Sequence, residues 1–315
     1  MPRKPSAYAI GITTFDAKGR FDPGAMREHC QRIVAAGLGF YAGGSSPGEQ
    51  YAMPIKEVEQ LLALCAKEMK GKVPIRSMGV EPRTIQQMLD FVKMAEASGV
   101  DATQIYSLDL GHGNKPLEAE MERYYRTVLE KVRLPAVISS HSAMGYVIQP
   151  DMMRRLAMDY PKLVGYHISS PDIAYLVRAL DVIPERVTVH VGGPMHALTG
   201  LAMGASGFLA AEANWAPRLA QSVIDHWAAG RYPKSHEAYH RFMRVFAINT
   251  FGSASVRWQK AAMQVLGLAG HYVRDPHVPL TDAQVEQVRE ALVRLDIPRI
   301  EKIKLPAAPK GKSKR

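Results

Sequence analysis

The chain alternates between short apolar runs and longer stretches in which apolar positions recur three or four residues apart. The short runs fall at 7–13, 40–43, 73–77, 102–106, 136–139, 164–167, 187–191 and 207–211. Their brevity and the turn residues at their ends predict strands. The stretches 23–36, 55–70, 82–98 and 116–131 carry the spacing of amphipathic helices. Eight strands alternating with helices imply a parallel sheet of the α/β class. Eight such repeats close naturally into a (β/α)8 TIM barrel. A doubly wound open sheet is the competing topology. It usually carries a Gly-rich phosphate turn after an early strand, and neither GxGxxG nor GxxxxGK[ST] occurs here.

Beyond the eighth strand, helical patterns at 217–229, 235–250, 255–266 and 281–295 predict a C-terminal helical extension. Asn214-Trp215-Ala216-Pro217 marks the break. The expected organisation is a flexible N-terminus at 1–6, a barrel at 7–216, an extension at 217–297 and a basic disordered tail at 298–315.

Composition adds three points. At 315 residues and 47% hydrophobic, the chain has material for one large core. Its apolar runs fall well short of a membrane span of about 20 residues, and no signal-peptide core follows the basic start. The net charge of +10 is concentrated at the ends. Removing Arg3, Lys4, Lys310, Lys312, Lys314 and Arg315 leaves +4 for the body, which argues against nucleic acid as a partner. Cys30 and Cys65 form no CxxC or metal motif and suit a reducing cytoplasm.

A barrel of this kind builds its site from strand C-terminal ends and the loops that follow. That rule selects Thr13, Thr14, Ser45, Ser46, Glu49, Ser77, Asp109, His112, Ser139, Ser140, His141, His167, Ser169, His190, Gly192 and Glu212. Ser139-Ser140-His141 is a poor hydrolase candidate, because adjacent residues do not make a nucleophile–base pair and no GxSxG elbow is present.

The run from about 7 to 297 resembles the N-acetylneuraminate lyase / dihydrodipicolinate synthase family. Thr13-Thr14-Phe15 is similar to its T-P-F after strand 1, and Ser46-Pro47-Gly48-Glu49 to its T-T-G-E after strand 2. Lys115-Pro116, Pro135–Ser140 and Val164-Gly165-Tyr166-His167 resemble its motifs on strands 4, 5 and 6. Gly192, Gly204, Gly207 and Asn214 match positions around strands 7 and 8, and Trp258–Ala262 and Arg274-Asp275-Pro276 match its helical tail. The resemblance implies dimers or tetramers and chemistry on a small carbonyl substrate.

The departures fall at the chemistry. In the family, the strand 6 motif carries the lysine that forms a Schiff base with a keto acid; here that position is His167. The proton-relay tyrosine falls on Ser139, 28 residues earlier, the carboxylate-binding arginine on Met144, and the second tyrosine near His112-Gly113. Ser46 keeps the hydroxyl of the relay. An imidazole has no primary amine, so imine formation is not expected. Lys260 is expected in the outer extension, and Glu49 is expected to fix a loop.

Residues two apart share a strand face, so Ser139 pairs with His141 and His190 with Gly192. Three readings follow. His167 acts as general acid/base, assisted by His141, Ser139 and Ser46, with Ser140, His112, His190, Gly192 and Thr14 around the substrate. Alternatively His141, His167 and His190 hold a divalent metal such as zinc or manganese. Alternatively the barrel is catalytically silent and serves as a ligand sensor or partner subunit. The first implies a lyase performing aldol cleavage or hydration/dehydration of a small carbonyl or hydroxy-acid substrate without a Schiff base. The expected assembly is a homotetramer or homodimer with no membrane partner.

Overall fold

The computed structural model describes residues 3–142, 147–248 and 256–306. Eight parallel strands run in chain order round a closed barrel. They are β1 (Ser6–Ile10), β2 (Gly39–Gly43), β3 (Ile75–Met78), β4 (Ala102–Ile105), β5 (Ala136–His141), β6 (Leu163–Ser169), β7 (Thr188–Gly192) and β8 (Gly207–Ala210). Each lies where an apolar run predicts it. The largest difference is at β1, which stops at Ile10. Just beyond, the Ile12 N–H turns to the side chain of Asn214, donating to Oδ1 at 3.0 Å.

The helices α1 (Pro23–Ala36), α2 (Ile55–Met69), α3 (Ile85–Ser98), α4 (Glu118–Lys131), α5 (Pro150–Asp159), α6 (Ile173–Val182), α7 (Ala197–Ala202) and α8 (Pro217–Ala228) ring the barrel. Helix α1 shows why the boundaries are sharp. The Asp22 carboxylate accepts from the Ala25 N–H, Pro23 opens the first turn, and Gly37 stops the helix at φ 74°. Four more helices follow: α9 (Tyr232–Phe246), α10 (Val256–Val265), α11 (Asp282–Arg294) and α12 (Ile297–Ile300). None of the helices among the described residues is long and apolar enough to cross a membrane.

The period-two alternation of each strand sorts its side chains. Ala7, Ala9, Phe40, Ile75, Ile105, Ile138, Ile168, Val189 and Phe208 face outward into the main core beneath the helices. Tyr8, Tyr41, Met78, Tyr106 and Leu209 form a second cluster within the barrel, with Ile10 packed against it. Closure of β8 on β1 depends on Gly207. Its φ is 139°, and a Cβ there would stand 1.8 Å from the Ser6 carbonyl oxygen.

Three expected boundaries move. Helix α8 packs on β1 and α1 and is the eighth helix of the ring, so the barrel runs past residue 216. The tail does not begin at 298. Helix α12 leads into Glu301, whose buried carboxylate accepts from the Arg218 and Leu219 N–H groups at 3.2 and 3.0 Å. These are the orphan donors of the α8 N-terminus. The chain start is likewise ordered from residue 3, where the Arg3 guanidinium donates to the carbonyls of Val187, Ile183 and Gly204. The basic residues at 310–315 lie outside the described residues.

Candidate active site

The strand register brings one row of polar residues together inside the barrel. Ser139 on β5 pairs with His167 on β6, and His167 pairs in turn with His190 on β7. Residues on either side of each, such as Ile138, Ile168 and Val189, face the helices, so this row faces the lumen. His141 shares the face of Ser139 but lies two residues further toward the mouth.

His167 occupies the centre of the row because β7 makes room for it. A Cβ at Gly192 would stand 2.7 Å from His167 Nε2 and 2.5 Å from the Ser169 Cβ. Any side chain at Gly192 would displace the imidazole. The ring is buried, and neither Nδ1 nor Nε2 has a hydrogen-bond partner among the described residues. Burial, and then the neighbouring His141, push its pKa down to about 3. His167 is therefore a neutral imidazole at pH 7, with one nitrogen a donor and the other an acceptor. The His141 ring stands perpendicular to it with centroids 6.4 Å apart, and burial lowers its pKa also, against the pull of Glu81.

One further lumen side chain shares the condition of His167. The Ser139 hydroxyl is buried with no hydrogen-bond partner among the described residues, whereas the buried Gln104 amide lies against the Tyr106 hydroxyl. Gln104 is the β4 residue between outward-facing Ile105 and Thr103, whose hydroxyl bonds to Ser77 at 2.9 Å. It pairs across β5 with Val137, one lumen position before Ser139.

The neighbouring strands furnish the rest of the lumen differently. The Arg76 guanidinium, on β3, donates to the Tyr41 hydroxyl at 2.8 Å and lies 4.5 Å above the Tyr8 ring. It makes no ion pair among the described residues; two aromatic faces and a phenol hold the charge instead. His190 meets the edge of Tyr8 at 5.1 Å and bonds through Nε2 to the Ser6 hydroxyl at 2.8 Å. Burial, then Arg76 and His167, hold His190 well below its ordinary pKa, so it too is neutral. Tyr106, at the mouth end of β4, keeps its phenol proton because burial, then Glu81 and Tyr41, raise its pKa well above the usual value.

Several sequence-selected residues lie elsewhere. Ser140 faces the other way from its neighbours: its hydroxyl bonds to the Tyr175 hydroxyl and accepts from the Ile148 N–H. Strand alternation makes it a packing residue. The Thr14 hydroxyl is spent on the Asp22 carbonyl at 2.9 Å, fixing the turn into α1. His112 is exposed, on a loop with φ 51°, and Ser46 is exposed on the loop after β2. Met144 lies outside the described residues. The three-histidine metal reading is corrected. Among the described residues no group of three or more His, Cys, Asp or Glu could hold a metal ion. His190 Nε2 is turned to Ser6, and His141 stands off the row.

Lys260 lies on α10, in the extension where the sequence places it, but its side chain turns inward. It is buried, and its ammonium donates to the carbonyls of Thr13, Gly270 and Tyr272 and pairs with Glu49 at 3.5 Å. Burial lowers its pKa to about 8, against the pull of Glu49. Glu49 in turn accepts from the Arg274 N–H at 2.9 Å, so it does fix its loop. Glu212 faces α10 rather than the lumen. Its carboxyl accepts from Gln259 at 3.1 Å, and burial raises its pKa to about 7. None of the eight strands carries a lysine.

Arg76, Gln104, Tyr8, Tyr41 and Tyr106 were not selected from the sequence. A signal existed for two of them: Arg76 and Gln104 are isolated polar residues within short buried strands. The rule that looks only at strand ends passes over both.

A closed eight-stranded barrel with a helical extension defines a (β/α)8 TIM-barrel protein. The chain belongs to the dihydrodipicolinate synthetase family, whose model matches residues 6–295. It is 26% identical over 286 residues to the 4-hydroxy-tetrahydrodipicolinate synthase of Methanopyrus kandleri, covering 90% of this chain and 92% of that one. It is 24% identical over 274 residues to the Bacillus subtilis enzyme of the same name, covering 86% and 92%. Among solved structures it is similar to YagE, a prophage protein of Escherichia coli K12 in complex with pyruvate. That match has a TM-score of 0.86 at 20% identity and covers 93% of this chain and 99% of that one. It is also similar to a monomeric dihydrodipicolinate synthase variant, with a TM-score of 0.86 at 21% identity, covering 93% and 97%.

Proposed function

We propose that this chain is a lyase acting on a small carbonyl or hydroxy-acid substrate without a Schiff base, with His167 as its general acid/base. The observation that carries this reading is the state of His167. It is a buried, neutral imidazole with both nitrogens unpartnered among the described residues, at the lumen position where the family resemblance puts the imine lysine.

In aldol cleavage, the acceptor nitrogen of His167 takes the proton of the β-hydroxyl. The carbon–carbon bond breaks, its electron pair forms the enolate, and the proton returns to the α-carbon. In dehydration, the same nitrogen takes the α-proton and delivers it to the departing hydroxyl. A pKa near 3 makes His167 a weak base in the free protein. The negative charge that develops on the substrate oxygen raises that pKa during reaction, so the imidazolium is stabilised in the transition state more than in the ground state. Ser139, beside His167 in the register, supplies a hydroxyl to the same oxygen. His141 holds the outer edge of the ring.

The test is a turnover screen of 2-keto acids, aldols and 2-hydroxy acids, followed by His167→Ala and His167→Asn. Loss of turnover by at least about a hundredfold in both variants is expected for a general acid/base. Turnover that survives in both contradicts the assignment, and a screen without turnover favours the silent barrel. Assembly as a homodimer or homotetramer belongs to the same reading, and light scattering on the full chain measures it.

A further inference from the structure

We propose that the lumen takes its ligand as a monoanion, a small carboxylate held by the Arg76 guanidinium, so that Arg76 selects acids over their uncharged analogues. This rests on the lumen being the site, as in the proposed function, and goes on to name the charge that the site takes. Arg76 stands on β3 beside outward-facing Ile75 and reaches into the lumen cluster of Tyr8 and Tyr41. A guanidinium is always charged in a protein and carries five N–H donors. The acceptors beside it are phenols: the Tyr41 hydroxyl at 2.8 Å, and that of Tyr8, whose ring lies 4.5 Å away. Asp101, whose charge is felt at Arg76, accepts from the Ile75 N–H at 3.0 Å and forms no ion pair with the guanidinium. Lys260, also buried, has the Glu49 carboxylate at 3.5 Å. A buried charge without a countercharge has lost its hydration and not regained it. Cation–π contacts and bonds to phenols offset only part of that loss.

The surroundings set the charge and shape of the ligand. His167 and His190 are neutral, so Arg76 offers a single positive charge to what enters. One carboxylate balances it, whereas a phosphate dianion would bring a second negative charge without a partner. The planar fork of the guanidinium also matches a carboxylate through two parallel N–H···O bonds. Glu81 does not serve as the countercharge. It accepts from the Ser45 hydroxyl at 2.7 Å on the loops at the mouth and forms no ion pair with Arg76. The guanidinium is buried but not sealed: Arg76 keeps 9% of its surface accessible, against 4% for Tyr8, 0% for Tyr41 and 1% for His190. It also borders the proposed chemistry. His190 meets the edge of the same Tyr8 ring at 5.1 Å and is the register partner of His167. With its carboxylate at Arg76, the rest of a small acid extends past His190 toward His167.

The test uses isothermal titration, with saturation-transfer NMR for weak binding, on the full chain at pH 7.5. The probes are lactate and pyruvate, each against its amide, lactamide or pyruvamide, which keeps the shape and removes the charge. At least one acid is expected to bind about tenfold or more tightly than its amide. Arg76→Met is expected to lose about tenfold or more of that acid's affinity and to leave the amide within about twofold. Arg76→Lys keeps the charge but not the fork, and should retain the preference for the acid at lower affinity. If neither variant folds, a crystal structure of the parent with the acid that binds decides: a carboxylate within hydrogen-bond reach of the guanidinium supports the site, and one bound elsewhere overturns it. Amides that bind as tightly as their acids overturn the proposal. So does an unchanged preference for the acid in Arg76→Met, or failure of both acids to bind. These outcomes are separable from the lyase reading. Arg76-dependent binding of an acid without any turnover sinks the lyase and leaves this site standing, whereas His167-dependent turnover of an uncharged aldol with no preference for acids does the reverse.

Discussion

Two sets of buried polar groups lie within this one barrel, and they differ in whether the protein satisfies them. The Lys260 ammonium is shared among three carbonyls and the Glu49 carboxylate, tying the helical extension to the loops after β1 and β2. Ser139 and His167 are as deeply buried, and their side chains have no hydrogen-bond partner among the described residues. A satisfied buried group contributes to the fold, while an unsatisfied one costs stability. The first set is explained by structure, and the proposed function assigns the second to a substrate. The contrast is sharpest between neighbours: Ser140 has its bonds to Tyr175 and Ile148, and Ser139 has none among the described residues.

The comparison breaks most readily at the clamp. Lys260→Met leaves Glu49 buried without its cation and is expected to cost about 3–5 kcal/mol. Urea unfolding measures it. A cost below about 1 kcal/mol would mean the clamp carries little of the fold.

The next effects are in pH dependence, where His167 in the lumen and Glu212 against α10 should move in opposite directions. His167 has a depressed pKa, so its neutral form is the one that folds. Its contribution is complete above the unfolded value of about 6.5 and falls below it, by up to about 1.4 kcal/mol per pH unit down to about 3. Relative to His167→Asn, the parent should therefore lose stability on acidification across that window. Glu212 has a raised pKa, so its contribution is complete below about 4.5 and is lost as pH rises to about 7. Relative to Glu212→Gln, the parent should lose stability in the alkaline direction. Unfolding midpoints of each pair at pH 5 and pH 7.5 check both signs, and a flat difference for either pair contradicts the burial assigned to that group.

The smallest effects separate the two serines. Ser140→Ala is expected to cost about 0.5–1.5 kcal/mol and leave turnover of a substrate found by the screen unchanged. Ser139→Ala is expected to leave stability unchanged or slightly raised and to lower that turnover. Identical behaviour of the two variants would erase the distinction between lumen and core.

The barrel itself is legible in the sequence because period-two runs and helical spacing act locally, and caps such as Asp22 and Gly37 mark where helices begin and end. His167, Ser139, His190 and Gly192 are legible for the same reason, since alternation along a strand fixes their face. Ser140 and Thr14 are misread because proximity to a strand end does not specify a face. Arg76 and Gln104 are missed because their importance lies in which strands stand beside them, and register across a barrel is a long-range property. The burial of Lys260 is missed because its long side chain reaches back from α10 to the loops after β1 and β2, a contact between residues 247 positions apart in the Thr13 case. Such a contact has no local signature.

The central claim is that this barrel works through an imidazole where the family resemblance places an amine. Borohydride reduction in the presence of pyruvate, followed by intact-mass analysis, tests it most directly, with a family member that keeps the lysine run alongside. The expected result is an unchanged mass for this chain and a reduced pyruvyl adduct on the other. A stoichiometric adduct on this chain, at any lysine, would contradict the claim.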